Sequence, residues 1–252
     1  MIIAHRGGVV DEHRSENSRA ALEEAIRRGY THVEVDARIT GDGHVVCFHD
    51  DELSQEAGLE GKVSEMPTNL VTQITLTRSK EKIPTFEEYC KWSSGRINLM
   101  VDIKGCPEES INLYVSEIAT ALKKYDLLES SLILINKTPK NNQEAIAERF
   151  RGQAKISWRK SLPATRIASA NDADFAHKYY VFGHGDELSQ SEVSEFKAMG
   201  LAVICSINTN HYKTGDPLRL GALHIETMLN YGVDGLQIDS CYDDALLIHK
   251  AP

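Results

Sequence analysis

Two stretches of this chain, Val33-Glu34-Val35-Asp36-Ala37-Arg38 and Leu99-Met100-Val101-Asp102-Ile103-Lys104, carry the same pattern. In an extended chain, successive side chains point to opposite faces. Val33, Val35 and Ala37 therefore share one face, with Glu34, Asp36 and Arg38 on the other. In the second stretch Leu99, Val101 and Ile103 lie opposite Met100, Asp102 and Lys104. Parallel strands covered by helices normally read as unbroken apolar runs. Here the apolar faces are expected to meet helices, which turns the charged faces into the interior of a closed barrel.

The rest of the chain supports this reading. Further β-type runs are Met1–His5, Ser131–Ile135, Ala154–Trp158, Tyr179–Phe182, Ala202–Ser206 and Gly235–Asp239, with the two charged strands extending over His32–Arg38 and Ile97–Lys104. An extra strand, His44–His49, follows the tight turn Thr40-Gly41-Asp42-Gly43. Helical patterns lie between most strands. Ser18 or Asn17 caps the first, which ends at Gly29; Thr85-Phe86-Glu87-Glu88 and Ser189-Gln190-Ser191-Glu192 read as capping boxes, and the second of these opens a helix ending at Gly200. About eight βα repeats in a chain of 252 residues predict a single (β/α)8 barrel, for which roughly 250 residues is usual. An open doubly wound sheet is the rival architecture. Residues 51–82 break the alternation and are expected to form a short insertion that caps the active-site rim of one continuous domain, 1–252.

Composition narrows the function. The chain has 28 Lys+Arg against 37 Asp+Glu, a net charge of -9. That balance argues against a broad surface for nucleic acid or anionic membrane, and no apolar run approaches the ~18 residues of a membrane span. Cys47, Cys90, Cys106, Cys205 and Cys241 form an odd set without CxxC spacing, which predicts reduced thiols rather than a disulfide framework or a structural zinc. The start, Met1-Ile2-Ile3-Ala4-His5-Arg6-Gly7, lacks the features of a secretory signal, so a cytoplasmic protein is expected. An anionic substrate would need a local site that overcomes the global charge.

Such a site is legible. Buried carboxylates are costly unless paired or bound to a cation. Glu34, Asp36 and Asp102 on two inner faces form an oxygen set suited to one Mg2+ or Ca2+ ion; the alternative is a salt-bridge network with Arg38 and Lys104. His5 and His49 end strands and reach the same rim, where barrel enzymes place their chemistry, and histidine suits proton transfer near neutral pH. Arg6 and Lys104 supply fixed cations for a phosphate. Together these point to metal-assisted phosphodiester cleavage. Trp158 is a candidate pocket residue or a packing residue. His184, after the sixth strand, is a candidate for the rim. His13, His32, His44, His177, His211, His224 and His249 read as surface or loop positions.

The ordered series His5-Arg6-Gly7, Ser15-Glu16-Asn17-Ser18, Glu34-Val35-Asp36, Thr40-Gly41-Asp42-Gly43, His49-Asp50, Ile83-Pro84-Thr85-Phe86, Asp102-Ile103-Lys104 and Gly232-Val233-Asp234-Gly235 with Asp239 resembles the glycerophosphodiester phosphodiesterase family. The resemblance implies a metal-dependent barrel that hydrolyses glycerophosphodiesters to glycerol 3-phosphate and an alcohol. It implies His5 and His49 as the acid/base pair, Arg6 and Lys104 at the phosphate, Glu34, Asp36 and Asp102 at the metal, and Glu16-Asn17 buttressing the Arg6 loop. The partner is then a small-molecule phosphodiester, not nucleic acid. Three departures stand out. Asp102 replaces a usual Glu, Leu53-Ser54-Gln55-Glu56 lacks the family's arginine, and Cys205-Ser206-Ile207-Asn208 keeps Asn208 but loses an aromatic residue. They leave two alternatives open: a sibling phosphodiesterase of lysophospholipase D type, or an inactive binding barrel.

Overall fold

The structure, a computed structural model, describes residues 1–105, 108–135, 143–185, 187–212 and 215–247; Cys106 and His249 lie outside the described residues. Nine strands are present among these residues: β1 (Ile2–Ala4), β2 (His32–Ile39), β3 (Val45–Cys47), β4 (Asn98–Lys104), β5 (Leu132–Ile135), β6 (Lys155–Trp158), β7 (Tyr179–His184), β8 (Val203–Ile207) and β9 (Gly235–Ile238). Eight are parallel and run β1-β9-β8-β7-β6-β5-β4-β2, and a β1–β2 pairing closes the ring. That closure decides for the (β/α)8 barrel over the open sheet. β3 is the exception. It pairs antiparallel with Ala37, Arg38 and Ile39 of β2, on the part of that strand beyond the residues that pair with the short β1.

The alternation read from two strands governs the whole ring. Val33, Val35, Ala37, Leu99, Val101 and Ile103 join the large cluster between sheet and helices. The lumen holds a separate apolar layer of Ile3, Met100, Leu132, Leu134, Tyr180, Phe182 and Ile204. Side chains of this layer fill the barrel, so it is a packed core and not a pore. The next inward positions towards the C-terminal ends of the strands are polar: His5, Asp36, Asp102, Lys104, His184, Asn208 and Asp239.

The helix signals act where the sequence places them. Ser18 caps α1 (Arg19–Arg28), its hydroxyl accepting from the Ala21 N–H, and Gly29 ends the helix in the left-handed region. Thr85 and Glu88 form a capping box on α4 (Phe86–Ser93), and Ser189 and Glu192 do the same for the helix Gln190–Ala198. Residues 51–82 hold two four-residue helices, α2 (Ser54–Ala57) and α3 (Thr68–Val71). Helices this short are not stable alone. They are held by an apolar cluster of their own, in which Leu53, Val63, Val71, Ile74 and Leu76 pack on Val46, Phe48 and Ile83.

Two expectations need correction. His32 is not a surface residue: it starts β2 at 7% exposure, and burial pushes its pKa down to about 4. Trp158 faces the helices instead of the lumen. Its ring packs on Phe175 and Tyr179 and its indole N–H donates to Thr165 at 2.8 Å. The cause is register, because Trp158 shares a face with the outward Ile156.

Candidate active site

Arg6 and Asn17 both adopt left-handed backbone with φ of 56°, and the two loops they belong to are bonded together. The Asn17 N–H donates to the Arg6 carbonyl at 2.9 Å, and the Gly7 N–H to the Glu34 carbonyl at 2.6 Å. Gly7 is required here: its φ is 81°, and a Cβ would lie 2.4 Å from Asn17 Cα. The Asn17 amide then bridges to β2, donating to Asp36 Oδ2 at 2.8 Å and accepting the Asp36 N–H at 3.0 Å.

This scaffold holds Arg6 at the barrel mouth. Its backbone N–H donates to Glu34 Oε2 at 2.7 Å and its guanidinium to Glu16 Oε2 at 2.7 Å. Another guanidinium nitrogen lies 3.5 Å from His49 Nε2. Although burial opposes its charge, the Glu16, Asp36 and Glu34 carboxylates raise the Arg6 pKa. Burial dominates for Glu16, with Asp36 and Glu56 adding repulsion against the pull of Arg6, and pushes it up to about 7.

Glu34, Asp36 and Asp102 come together as expected. All three are buried, and one oxygen from each lies within 4.8 Å of the others. The Lys104 ammonium reaches Asp36 at 3.0 Å and Asp102 at 2.6 Å. Burial and the two neighbouring carboxylates push Glu34 well up. Burial also pushes Asp102 up, against the pull of Lys104. For Asp36 burial is outweighed by Lys104 and His49, which hold it down. One lysine leaves three buried carboxylates undercompensated, and Asp102 Oδ1 is buried without a hydrogen-bond partner. An all-oxygen donor set with an unused buried acceptor fits a hard divalent cation. The alternative network forms only in part, since Arg38 turns away to the His49 carbonyl and to Asp51.

His5 and His49 stand at the ends of their strands, each with a carboxylate on Nδ1. His5 Nδ1 is 2.6 Å from Asp239 Oδ1, and His49 Nδ1 is 2.8 Å from Asp50 Oδ1. If the carboxylates accept, both rings direct Nε2 away from them. Burial lowers the His49 pKa, with Lys104 and Arg6 adding to it against Asp36, which favours the neutral imidazole. Asp239 also accepts the backbone N–H and hydroxyl of Thr209. Burial raises the Asp239 pKa, but His5 and Thr209 outweigh it and hold it at about 2.

Sequence reading did not pair His5 with Asp239 or His49 with Asp50, although both aspartates stand in motifs singled out there. Asp50 had a signal in its adjacency to His49; Asp239 lies 234 residues from His5 and had none. His184 does reach the rim, on the lumen side of β7 beyond Phe182, with its ring centroid 4.1 Å from that of His211. Asn208 follows β8 at 6% exposure, donates to Ser206 at 3.2 Å, and keeps a buried Oδ1 without a partner. Gln55, Glu56 and Arg78 from residues 51–82 line, with His5, Arg6 and Glu16, a cavity of about 300 Å³ beside the site.

The arrangement combines two oriented imidazoles, a guanidinium, an ammonium and a carboxylate triad at one barrel mouth. Its fold is shared with a phosphodiesterase from Oleispira antarctica solved with sn-glycerol-3-phosphate, at a TM-score of 0.74 and 22% identity over 97% of this chain and 96% of that one. A glycerophosphoryl diester phosphodiesterase from Parabacteroides distasonis gives 0.74 at 21% identity over 99% and 86%. Among curated relatives, a putative glycerophosphodiester phosphodiesterase of Bacillus subtilis is 28% identical over 43% of this chain and 46% of its own length. Human glycerophosphodiester phosphodiesterase 1 is 30% identical over 41% of this chain and 33% of its own. The aligned stretch thus spans less than half of these two relatives. No helix among the described residues is long and apolar enough to cross a membrane. The model of the glycerophosphoryl diester phosphodiesterase family matches residues 5–241, from His5 to beyond Asp239, and the chain belongs to that family.

Proposed function

We propose that this protein hydrolyses glycerophosphodiesters to glycerol 3-phosphate and an alcohol, with one divalent ion, Mg2+ or Ca2+, and with His5 and His49 as its proton-transfer pair. The observation that carries the reading is the paired geometry of the two histidines, each held at Nδ1 by its own carboxylate, at the same barrel mouth as Arg6 and the carboxylate triad. Arg6 and Lys104 bind the phosphate oxygens, and Arg6 is held in place by Glu16. His49, whose neutral form burial favours, accepts the proton of the attacking oxygen at Nε2. His5, steadied by Asp239, delivers a proton to the departing alkoxide as the phosphorus–oxygen bond breaks. A divalent ion on Glu34, Asp36 and Asp102 supplies positive charge against the negative charge that grows on the phosphoryl oxygens. In this reading residues 51–82 cap one side of the mouth through Gln55, Glu56 and Arg78.

The test is product-resolved hydrolysis of glycerophosphocholine and related diesters with Mg2+ or Ca2+. Glycerol 3-phosphate should form with wild-type protein, and His5→Ala and His49→Ala should each lose roughly 10²–10⁴-fold in kcat. Full activity in excess chelator would remove the metal from the scheme, and release of phosphate on the alcohol instead of on glycerol would reverse the bond assignment.

A further inference from the structure

Every group so far assigned to phosphate chemistry stands on β1, β2 or β4, or follows β1 or β3. The opposite half of the mouth is formed by the ends of β5, β6 and β7. In the closed ring β6 lies directly across from β1. The residue after β6 on the lumen face is Arg159, because Ile156 and Trp158 face the helices. Its guanidinium carbon lies 5.2 Å from the centre of the Phe182 ring, and Phe182 belongs to the lumen layer. Arg159 is half-buried, makes no hydrogen bond or ion pair among the described residues, and has an Nε that is buried without a partner. The acidic groups that act on it, Asp102 and Glu187, do not approach to pairing distance.

An arginine stacked on an aromatic ring and left with unused donors is pre-organised for an anion. Glycerol is neutral and common to all such diesters, so a fixed charge here discriminates only through the variable alcohol. We propose that Arg159 is a specificity-determining residue that selects diesters whose alcohol carries a negative group, such as a carboxylate or second phosphate, and disfavours a quaternary ammonium. The proposal rests on the phosphodiesterase reading above and adds the substrate class to it.

Three glycerol 3-phosphate diesters with alcohols of similar length test it: glycolate, ethylene glycol and choline. For wild-type protein, kcat/KM should fall in that order, with the glycolate ester favoured over the neutral one roughly tenfold, as for one charge-assisted hydrogen bond. In Arg159→Gln the glycolate-to-neutral ratio should fall to about one. Both esters are compared on one preparation, so the ratio does not depend on how much of the variant folds. A ratio retained in Arg159→Gln, or all three esters slowed by one factor as for a residue that grips glycerol or the reacting phosphate, overturns the proposal. Calorimetric binding of the same three esters separates this from the underlying reading. If none is hydrolysed, the phosphodiesterase reading fails, while the charge preference in Kd and its loss in Arg159→Gln still decide the role of Arg159.

Discussion

Asp239 Oδ1 lies 2.6 Å from His5 Nδ1, joining the loop after β9 to the end of β1 across the seam of the ring. The Thr209 N–H and hydroxyl hold the second oxygen of the same carboxylate. His5 is therefore fixed by a group that is itself fixed from a third strand end.

Replacing Asp239 with Asn should lower kcat by roughly 10²–10⁴-fold with a much smaller change in KM, because an amide can donate to Nδ1 and so reverse which ring nitrogen carries the proton. Steady-state kinetics on any accepted diester check this. An unchanged kcat would show that Asp239 does not orient His5 for catalysis.

The same carboxylate should make stability depend on acid. Its folded pKa of about 2 lies below the ordinary aspartate value of about 3.9, so the unfolded chain binds the proton more readily. Its stabilising contribution is complete above about pH 5 and is lost as pH falls through 2, an effect of about 2 kcal/mol. Denaturant midpoints measured between pH 4 and 2 should fall more steeply for wild type than for Asp239→Asn; parallel curves would contradict the assignment.

Metal binding has a readout apart from turnover. Mg2+ or Ca2+ at about 100 times Kd should stabilise the fold by roughly 2.7 kcal/mol, raising Tm. Glu34→Gln should lose most of that rise. Without metal it should be no less stable than wild type, since burial and two carboxylates already disfavour the Glu34 charge. Equal metal-induced shifts in the two proteins would place the ion elsewhere.

Gly7→Ala should destabilise the fold by at least 1–3 kcal/mol, because φ is 81° and the new Cβ would meet Asn17 Cα at 2.4 Å. Relief of that clash moves Arg6, so kcat/KM should fall as well. Chemical denaturation gives the first quantity, and an unchanged midpoint would show that the two loops are not locked together.

Much of this site could be read from local pattern. The alternation in β2 and β4 sorts Glu34, Asp36, Asp102 and Lys104 onto inward faces, since side chains in a strand alternate whatever the strand packs against. Strand-end positions likewise place His5 and His49 at the rim. The same rule applied to β6 puts Trp158 outside and Arg159 inside, but a single charged residue at a strand end carries no signal until its neighbours across the ring are known. The helices at 54–57 and 68–71 were not legible, because packing on Val46, Phe48 and Ile83 holds them and their own propensity does not.

From residue order alone came the βα repeat, the helix ends set by Ser18, Thr85 and Ser189, and the inward charge of two strands. All of these depend on residues within a few positions of one another. Closure of the ring decided the rest: that His5 meets Asp239 across 234 residues, that Lys104 and not Arg38 sits between Asp36 and Asp102, and that β6, which Arg159 follows, stands across from β1. These relations depend on the register of eight strands relative to one another, and side-chain periodicity within one strand is blind to the register of its neighbours.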